Sequence, residues 1–254
     1  MLFQTFYEGN LGPQELACLT SFAKNGHEVV VYSYSYKNLP AFINGRDARE
    51  ILPEEMLFSL ENGDHKGSFA IFSDIFRWEL LKKKGGIWID TDVVCISRDW
   101  PDAEIFFGYQ DELIINNAII KFPVNHELLH EASRISQDIG KNCLWGETGP
   151  VLLTKLVEKY KLEKYSQMEK VFYPAQFWWA HNIREEEVSR DKITEFRQMG
   201  AVCIHLWNEC LRSTGIDKNT LPKENSLLDY ILDEYNLKGY YKEYELKKCI
   251  KNLI

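Results

Sequence analysis

The order of patterns at the start of the chain constrains its fold more than any other feature. LFQTFY is an apolar, strand-like run, and a turn from Gly9 to Pro13 leads into QELACLTSFAKNG, where Leu16, Leu19 and Ala23 recur at helical spacing. EVVVYSYSY then reads as a second strand. Two strands joined by a helix that stops at Gly26 run parallel, because parallel neighbours need a crossover connection. The expected class is α/β, with a mainly parallel central sheet flanked by helices. The alternation persists to about Tyr160. SFAIFSDIFRWELLKKK is a helix with three lysines at its negative dipole end and Gly85-Gly86 as its stop. GIWIDTDVVCI is an apolar run suited to the middle of a sheet, and EIFFGYQDELIINNAIIKF supplies two further strands. NHELLHEASRISQDIG and TGPVLLTKLVEKY are helices. Beyond them, VFYPAQFWW and AVCIHLWNECL read as aromatic-rich strands, and SLLDYILDEYNLKGYYKEYELKKCIKNLI as a charged helical tail.

At 254 residues, 45% hydrophobic and 27% charged, the chain suits one large core with a helical appendage, divided here as 1–215 and 216–254. Thirty Lys and Arg against 38 Asp and Glu leave a net charge of −8, which repels a phosphate backbone and argues against nucleic-acid binding. No run approaches the ~18 apolar residues of a membrane span, and MLFQTFYEGNLGP lacks a basic stretch followed by an apolar one. Cys18, Cys95, Cys143, Cys203, Cys210 and Cys249 include no C-x-x-C pair and fit reduced thiols. The expected location is the cytoplasm, with at most peripheral contact at the inner face of a membrane.

Two acidic residues interrupt the most apolar strand. In I-W-I-D-T-D-V-V, Asp90 and Asp92 would point to the same side of an extended chain. Burying both anions is costly unless something neutralises them, and a divalent cation bound to phosphate oxygens does so. Solvated carboxylates at a strand end are the plainer alternative. Upstream, Asp74 and Arg77 share a helix face at a three-residue spacing. By itself that is a surface pair worth ~0.3 to 0.5 kcal/mol, but Asp is a poor residue for a helix interior and this helix runs straight into the acidic strand.

S-D-I-F-R-W-E-L-L followed by G-G-I-W-I-D-T-D resembles the sugar-binding D-x-D region of a glycosyltransferase family. That family includes initiating α-1,6-mannosyltransferases and lactosylceramide α-1,4-galactosyltransferase, with the large clostridial glucosylating toxins as distant relatives. Weaker agreement runs from the strand at Phe3, a donor-binding position, to His205-Leu206-Trp207-Asn208. The resemblance implies a GT-A-type nucleotide-sugar-binding fold, a nucleotide-sugar donor, Mn2+ or Mg2+, a saccharide or lipid-linked saccharide acceptor, and retention of α configuration. It also implies roles: Asp74 contacts the donor ribose and sugar, Arg77 holds the transferred sugar, Asp90 contacts the nucleoside and Asp92 binds the metal. Asn116, Asn117 and the Gly149-Pro150 turn fall at sugar-pocket positions. His205-x-Trp207 resembles the element that closes over metal and diphosphate, with His205 as a metal ligand and the Trp207 indole donating to the leaving oxygen. A satisfied histidine in an aromatic strand is the alternative. Trp145, Trp178, Trp179 and Tyr173 offer flat faces for an acceptor sugar, although seven tryptophans also suit a core.

Other readings compete. His126-Glu127-Leu128-Leu129-His130 is an H-E-x-x-H, which on a helix would set two imidazoles toward zinc with Glu147 or Glu158 as a third ligand. Ser133 and Ser136 stand where a metzincin has Gly and His. D-T-D-V-V also resembles the first motif of haloacid-dehalogenase-type phosphatases, but about ninety residues precede it and no later G-D-x-x-x-D supplies the metal site phosphoryl transfer needs. A noncatalytic sugar-binding module is the remaining alternative.

Overall fold

A computed structural model describes residues 1–61, 65–212 and 214–251. In chain order the elements are β1 (Leu2–Phe6), α1 (Pro13–Lys24), β2 (Glu28–Ser33), β3 (Asn44–Asp47), α2 (Ala70–Lys84), β4 (Gly86–Ile89), β5 (Val93–Cys95) and β6 (Phe106–Tyr109). They continue with β7 (Ile115–Phe122), α3 (Glu127–Ile139), α4 (Pro150–Tyr160), β8 (Ser166–Gln167), α5 (Glu169–Phe172), α6 (Ala180–Glu185) and α7 (Lys192–Gln198). Last come β9 (Cys203–His205), α8 (Asn208–Arg212), α9 (Leu227–Glu234) and α10 (Lys238–Lys251). The end of the expected helical tail, residues 252–254, lies outside the described residues.

These elements form two compact units. The first comprises residues 1–9, 28–90 and 101–169. Its seven-stranded sheet has the order β3-β2-β1-β4-β7-β6-β8. β3, β2, β1 and β4 run parallel, β7 is antiparallel to β4 and β6, and β8 is parallel to β6. This mainly parallel sheet with helices packed on it is the architecture expected from the opening pattern. α2 settles on β1 through Phe72 and Phe76, whose rings lie 5.3 and 4.5 Å from that of Phe6. Ile71 and Ile75 are buried as well, and each such side chain contributes roughly 1.5–3 kcal/mol. Gly85 ends the helix at φ +63°, where a Cβ would stand 2.8 Å from the Val124 nitrogen, so the chain can turn directly into β4 only without a side chain.

The second unit comprises residues 10–27, 91–100 and 170–254. β5 and β9 pair antiparallel, with Val93 opposite His205 and Cys95 opposite Cys203. Phe22, Trp100 and Phe172 stack at 5.8 and 5.7 Å, and α10 is fastened to α1 by a 3.0 Å hydrogen bond between the Thr20 and Tyr240 hydroxyls.

The structure departs from the expected elements in three segments. GIWIDTDVVCI is not one strand: β4 ends at Ile89, residues 90–92 leave the extended path, and β5 begins at Val93 in another sheet. The two acidic groups turn the chain out of the sheet because uncompensated anions are not buried in a sheet interior. Nor is VFYPAQFWW a strand. Its residues form the end of α5 and a single helical turn at Phe177–Trp179, on either side of Pro174, which cannot donate to a ladder. Similarly, AVCIHLWNECL gives only the three-residue strand β9 before turning into α8.

Candidate functional site

In the first unit, α2 carries Asp74 and Arg77 one turn apart while Ile71, Phe72, Ile75 and Phe76 are buried. The Arg77 side chain is only 3% exposed. One guanidinium nitrogen donates to the Asn117 carbonyl at 2.7 Å, the other to Asp90 Oδ1 at 2.7 Å, and Asp74 Oδ1 lies at 3.4 Å. Its central carbon sits 4.7 Å from the centre of the Trp88 ring, whose Nε1 also donates to Asp90 Oδ1 at 2.7 Å. Such a fork fixes both carboxylates around one rigid cation in a way a lysine could not.

Asp74 is gripped from its other side. Asn117 Nδ2 donates to Oδ1 at 2.8 Å and the Thr148 hydroxyl to Oδ2 at 3.2 Å. Burial pushes the Asp74 carboxyl above the usual carboxylate range, outweighing the Arg77 charge and these hydrogen bonds, and the neighbouring Asp90 charge adds to the rise. A Cβ at Gly149 would meet Asn117 Nδ2 and Asp74 Oδ2 at 2.7 Å each, so this turn closes on the aspartate only with glycine. The structure thus brings together Asp74, Arg77, Asp90, Asn117 and Gly149. Asn116 instead points to Gln110: its Nδ2 donates to Gln110 Oε1 at 2.8 Å. Alternation along β7 separates the two asparagines. Phe3 is fully buried within β1.

In the second unit, pairing of β5 with β9 sets Asp92 beside His205. Leu206 N–H donates to the Asp92 carbonyl at 2.9 Å, and His205 Nε2 lies 3.2 Å from Asp92 Oδ1. The other carboxylate oxygen accepts from Asn208 N–H at 3.0 Å. Burial alone would raise the Asp92 carboxyl; the His205 imidazole, Asn208 N–H and Lys218 charge overcome it and hold the group down to about 2. His205 Nδ1 is buried with no hydrogen-bond partner among the described residues. The Asp92 carboxylate and the His205 Nε2 that faces it are an oxygen and nitrogen donor set that fits a divalent cation such as Mn2+. Trp207, at φ +53°, sets its ring 4.1 Å from that of His205 with a 43° tilt, and its indole N–H donates to the Ala175 carbonyl at 2.7 Å. Asp90, at the end of the first unit, precedes Asp92 by one intervening residue in the chain.

Several site residues escaped the sequence reading. Trp88 lies two residues before Asp90, a spacing that strand alternation could have flagged. Thr148 adjoins the Gly149-Pro150 turn and is fully buried. Gln14 and Arg184 carry no sequence signal. The Arg184 guanidinium donates to Gln14 Oε1 at 3.1 Å and to the Thr220 carbonyl at 2.6 Å, and Gln14 in turn donates to Asn208 Oδ1, beside Asp92.

The zinc geometry does not form. His126 is extended (φ −61°, ψ 138°) and caps α3, its Nδ1 accepting from Leu128 N–H at 3.2 Å, so it does not share a helix face with His130. Among the described residues, no cluster of three potential metal-binding side chains includes either histidine.

Residues 17–119 match the family of capsular polysaccharide synthesis proteins. Lactosylceramide 4-alpha-galactosyltransferase of Mus musculus is 27% identical over 158 residues, covering 58% of this chain and 43% of that protein. Alpha-1,4-N-acetylglucosaminyltransferase of Homo sapiens is 27% identical over 179 residues, covering 66% of this chain and 52% of the relative. The chain is homologous to these glycosyltransferases. It spans about half the length of the curated relatives it matches. Among solved structures, the PaToxG glycosyltransferase aligns at a TM-score of 0.47 and 13% identity, covering 94% of this chain and 85% of that one. The apo form of the glycosyltransferase GlyE from Streptococcus pneumoniae TIGR4 aligns at 0.46 and 10% identity, covering 97% and 63%.

Proposed function

We propose that the chain is a metal-dependent glycosyltransferase that moves a sugar from a nucleotide-sugar donor to a saccharide or glycolipid acceptor with retention of α configuration. Its place is in bacterial surface polysaccharide or glycoconjugate synthesis, a reading supported by the match to capsular polysaccharide synthesis proteins. The observation that carries the proposal is the buried Arg77 fork between Asp74 and Asp90. A cation this enclosed beside two carboxylates costs too much desolvation to be a surface pair, and it presents hydrogen-bonding groups suited to a polar ring.

Asp74 and Arg77 position the donor sugar, Asn117 and Gly149 shape its pocket, and Asp90 takes the nucleoside. Asp92 and His205 would hold Mn2+ or Mg2+, whose positive charge would be available to a leaving diphosphate. In the transfer, the bond from the anomeric carbon to the phosphate oxygen breaks and one to the acceptor hydroxyl oxygen forms on the same face. The hydroxyl proton passes to the departing phosphate, and the products are the glycoside and a nucleoside diphosphate. Trp207 reaches the leaving oxygen by exchanging its Ala175 partner, an exchange that tryptophan fluorescence on adding donor and Mn2+ reports.

The reading is tested with a panel of nucleotide sugars, assayed for hydrolysis with and without Mn2+, water serving as acceptor. Release of nucleoside diphosphate from at least one donor, lost on chelation, is expected. No release from any donor would sink the proposal.

A further inference from the structure

The turn that anchors Asp74 also exposes an indole. Thr148 donates its hydroxyl to Asp74 and accepts the Trp78 indole N–H on its carbonyl at 2.8 Å, so the base of the 143–149 loop is fixed to α2 at the donor-sugar aspartate. The loop is closed on itself: Glu147 N–H donates to the Leu144 carbonyl at 3.0 Å, and Leu144 N–H to the Glu147 carboxylate at 2.9 Å. This turn holds Leu144 outward at 74% exposure and Trp145 at 45%. His65 stacks on the Trp145 ring at 3.9 Å and an interplanar angle of 12°. The His65 loop is itself fastened at the base of α2, Leu60 N–H donating to the Ser68 carbonyl at 3.0 Å and Ser68 N–H to the His65 carbonyl at 2.9 Å.

The loop carrying His65 leads into the helix that carries Asp74, the loop carrying Trp145 is hydrogen-bonded to that helix through Thr148, and together they keep a flat apolar surface in water. An indole with one face covered by an imidazole and nearly half its surface still exposed offers its remaining surface to a ligand. Two residues, Gly146 and Glu147, separate Trp145 from Thr148, so three chain steps hold their backbones within roughly 11 Å. That is the range at which a second ring would sit beside a sugar held at Asp74. Preorganising an aromatic in this way lowers the ordering cost of binding, and sugar-ring C–H groups pack well on aromatic faces.

We propose that Trp145, backed by His65, is the platform on which the pyranose ring of the acceptor saccharide stacks, next to the donor sugar. This inference rests on the transferase reading. The test uses the donor identified by hydrolysis and, as acceptors, methyl glycosides of common hexoses together with methyl β-lactoside. The acceptor with the lowest KM then probes the variants. Trp145→Ala should raise acceptor KM by about fivefold to tenfold, a loss of the size expected for one aromatic contact, while Trp145→Phe should restore most of it. Leu113→Ala, which trims an apolar side chain 78% exposed in the β6–β7 turn, should leave acceptor KM unchanged. An unchanged acceptor KM in Trp145→Ala overturns the platform, as does hydrolysis in the wild type with no saturable acceptor in the panel. Wild type inactive toward every donor instead removes the transferase reading itself.

Discussion

At the scale of single residues, burial works against ionisation of Asp74. Its folded-state pKa lies above the ordinary value of 3.8, with burial the principal cause. The sign follows from linkage: the ionised group costs folding free energy at neutral pH, and this cost disappears as pH falls through the raised value toward 3.8. Asp74→Asn should therefore be at least as stable as wild type at neutral pH and lose that advantage in acid, while donor hydrolysis is abolished. Thermal unfolding across a pH series checks the first part and the hydrolysis assay the second. Arg77→Lys should cost roughly tenfold to a hundredfold in donor turnover, because a lysine ammonium cannot reproduce the two-nitrogen fork that bonds Asp90 and the Asn117 carbonyl together. Asp74, Arg77, Asp90 and Asp92 were legible as chemistry because acids in apolar or helical contexts need a reason. Gln14 and Arg184 were not. They meet across 170 residues of sequence, and only folding shows that a buried guanidinium holds the partner of Asn208.

At the scale of elements, the alternation of strand and helix to Tyr160 was readable because hydrophobic period and Gly or Pro punctuation agreed. Where they conflicted, reading failed. The 86–96 run is uniformly apolar except for its two acids, and composition does not say which edge of a strand they end. Aromatic richness in 171–179 mimicked β propensity, which reflects packing more than backbone preference. α3 shows the same limit in a motif. His126 sits at the N-cap, where its imidazole, its pKa pushed down by burial, accepts a backbone N–H. His126→Ala should cost about 1 kcal/mol of stability, measured by denaturant unfolding. His130→Ala, at an exposed position, should cost little. Neither should change transferase activity beyond a few fold, and elemental analysis should find no stoichiometric zinc; zinc lost in the double variant would restore the peptidase reading.

At the scale of the whole molecule, the proposed division at residue 215 has a physical consequence. Lys218 is the cationic partner of Glu15, whose side chain is fully buried, and Thr220 accepts from the buried Arg184. Leu227, Leu228, Ile231, Leu232 and Tyr241 are buried too. A chain ended at 215 leaves Glu15 without its cation and loses that apolar packing, so it should aggregate or melt well below the full chain in a thermal scan. The appendage is a proposed catalytic domain's neighbour in sequence and a stabilising part of the second unit in space. Calorimetry tests the proposal that Asp92 and His205 hold the divalent cation of a nucleotide-sugar transferase. Mn2+ is titrated into wild type and Asp92→Asn in the presence of nucleoside diphosphate, with donor hydrolysis measured on the same samples. The account predicts saturable Mn2+ binding and turnover in wild type, both abolished in a variant that keeps its circular dichroism spectrum. Equal binding and turnover in the two proteins would contradict it.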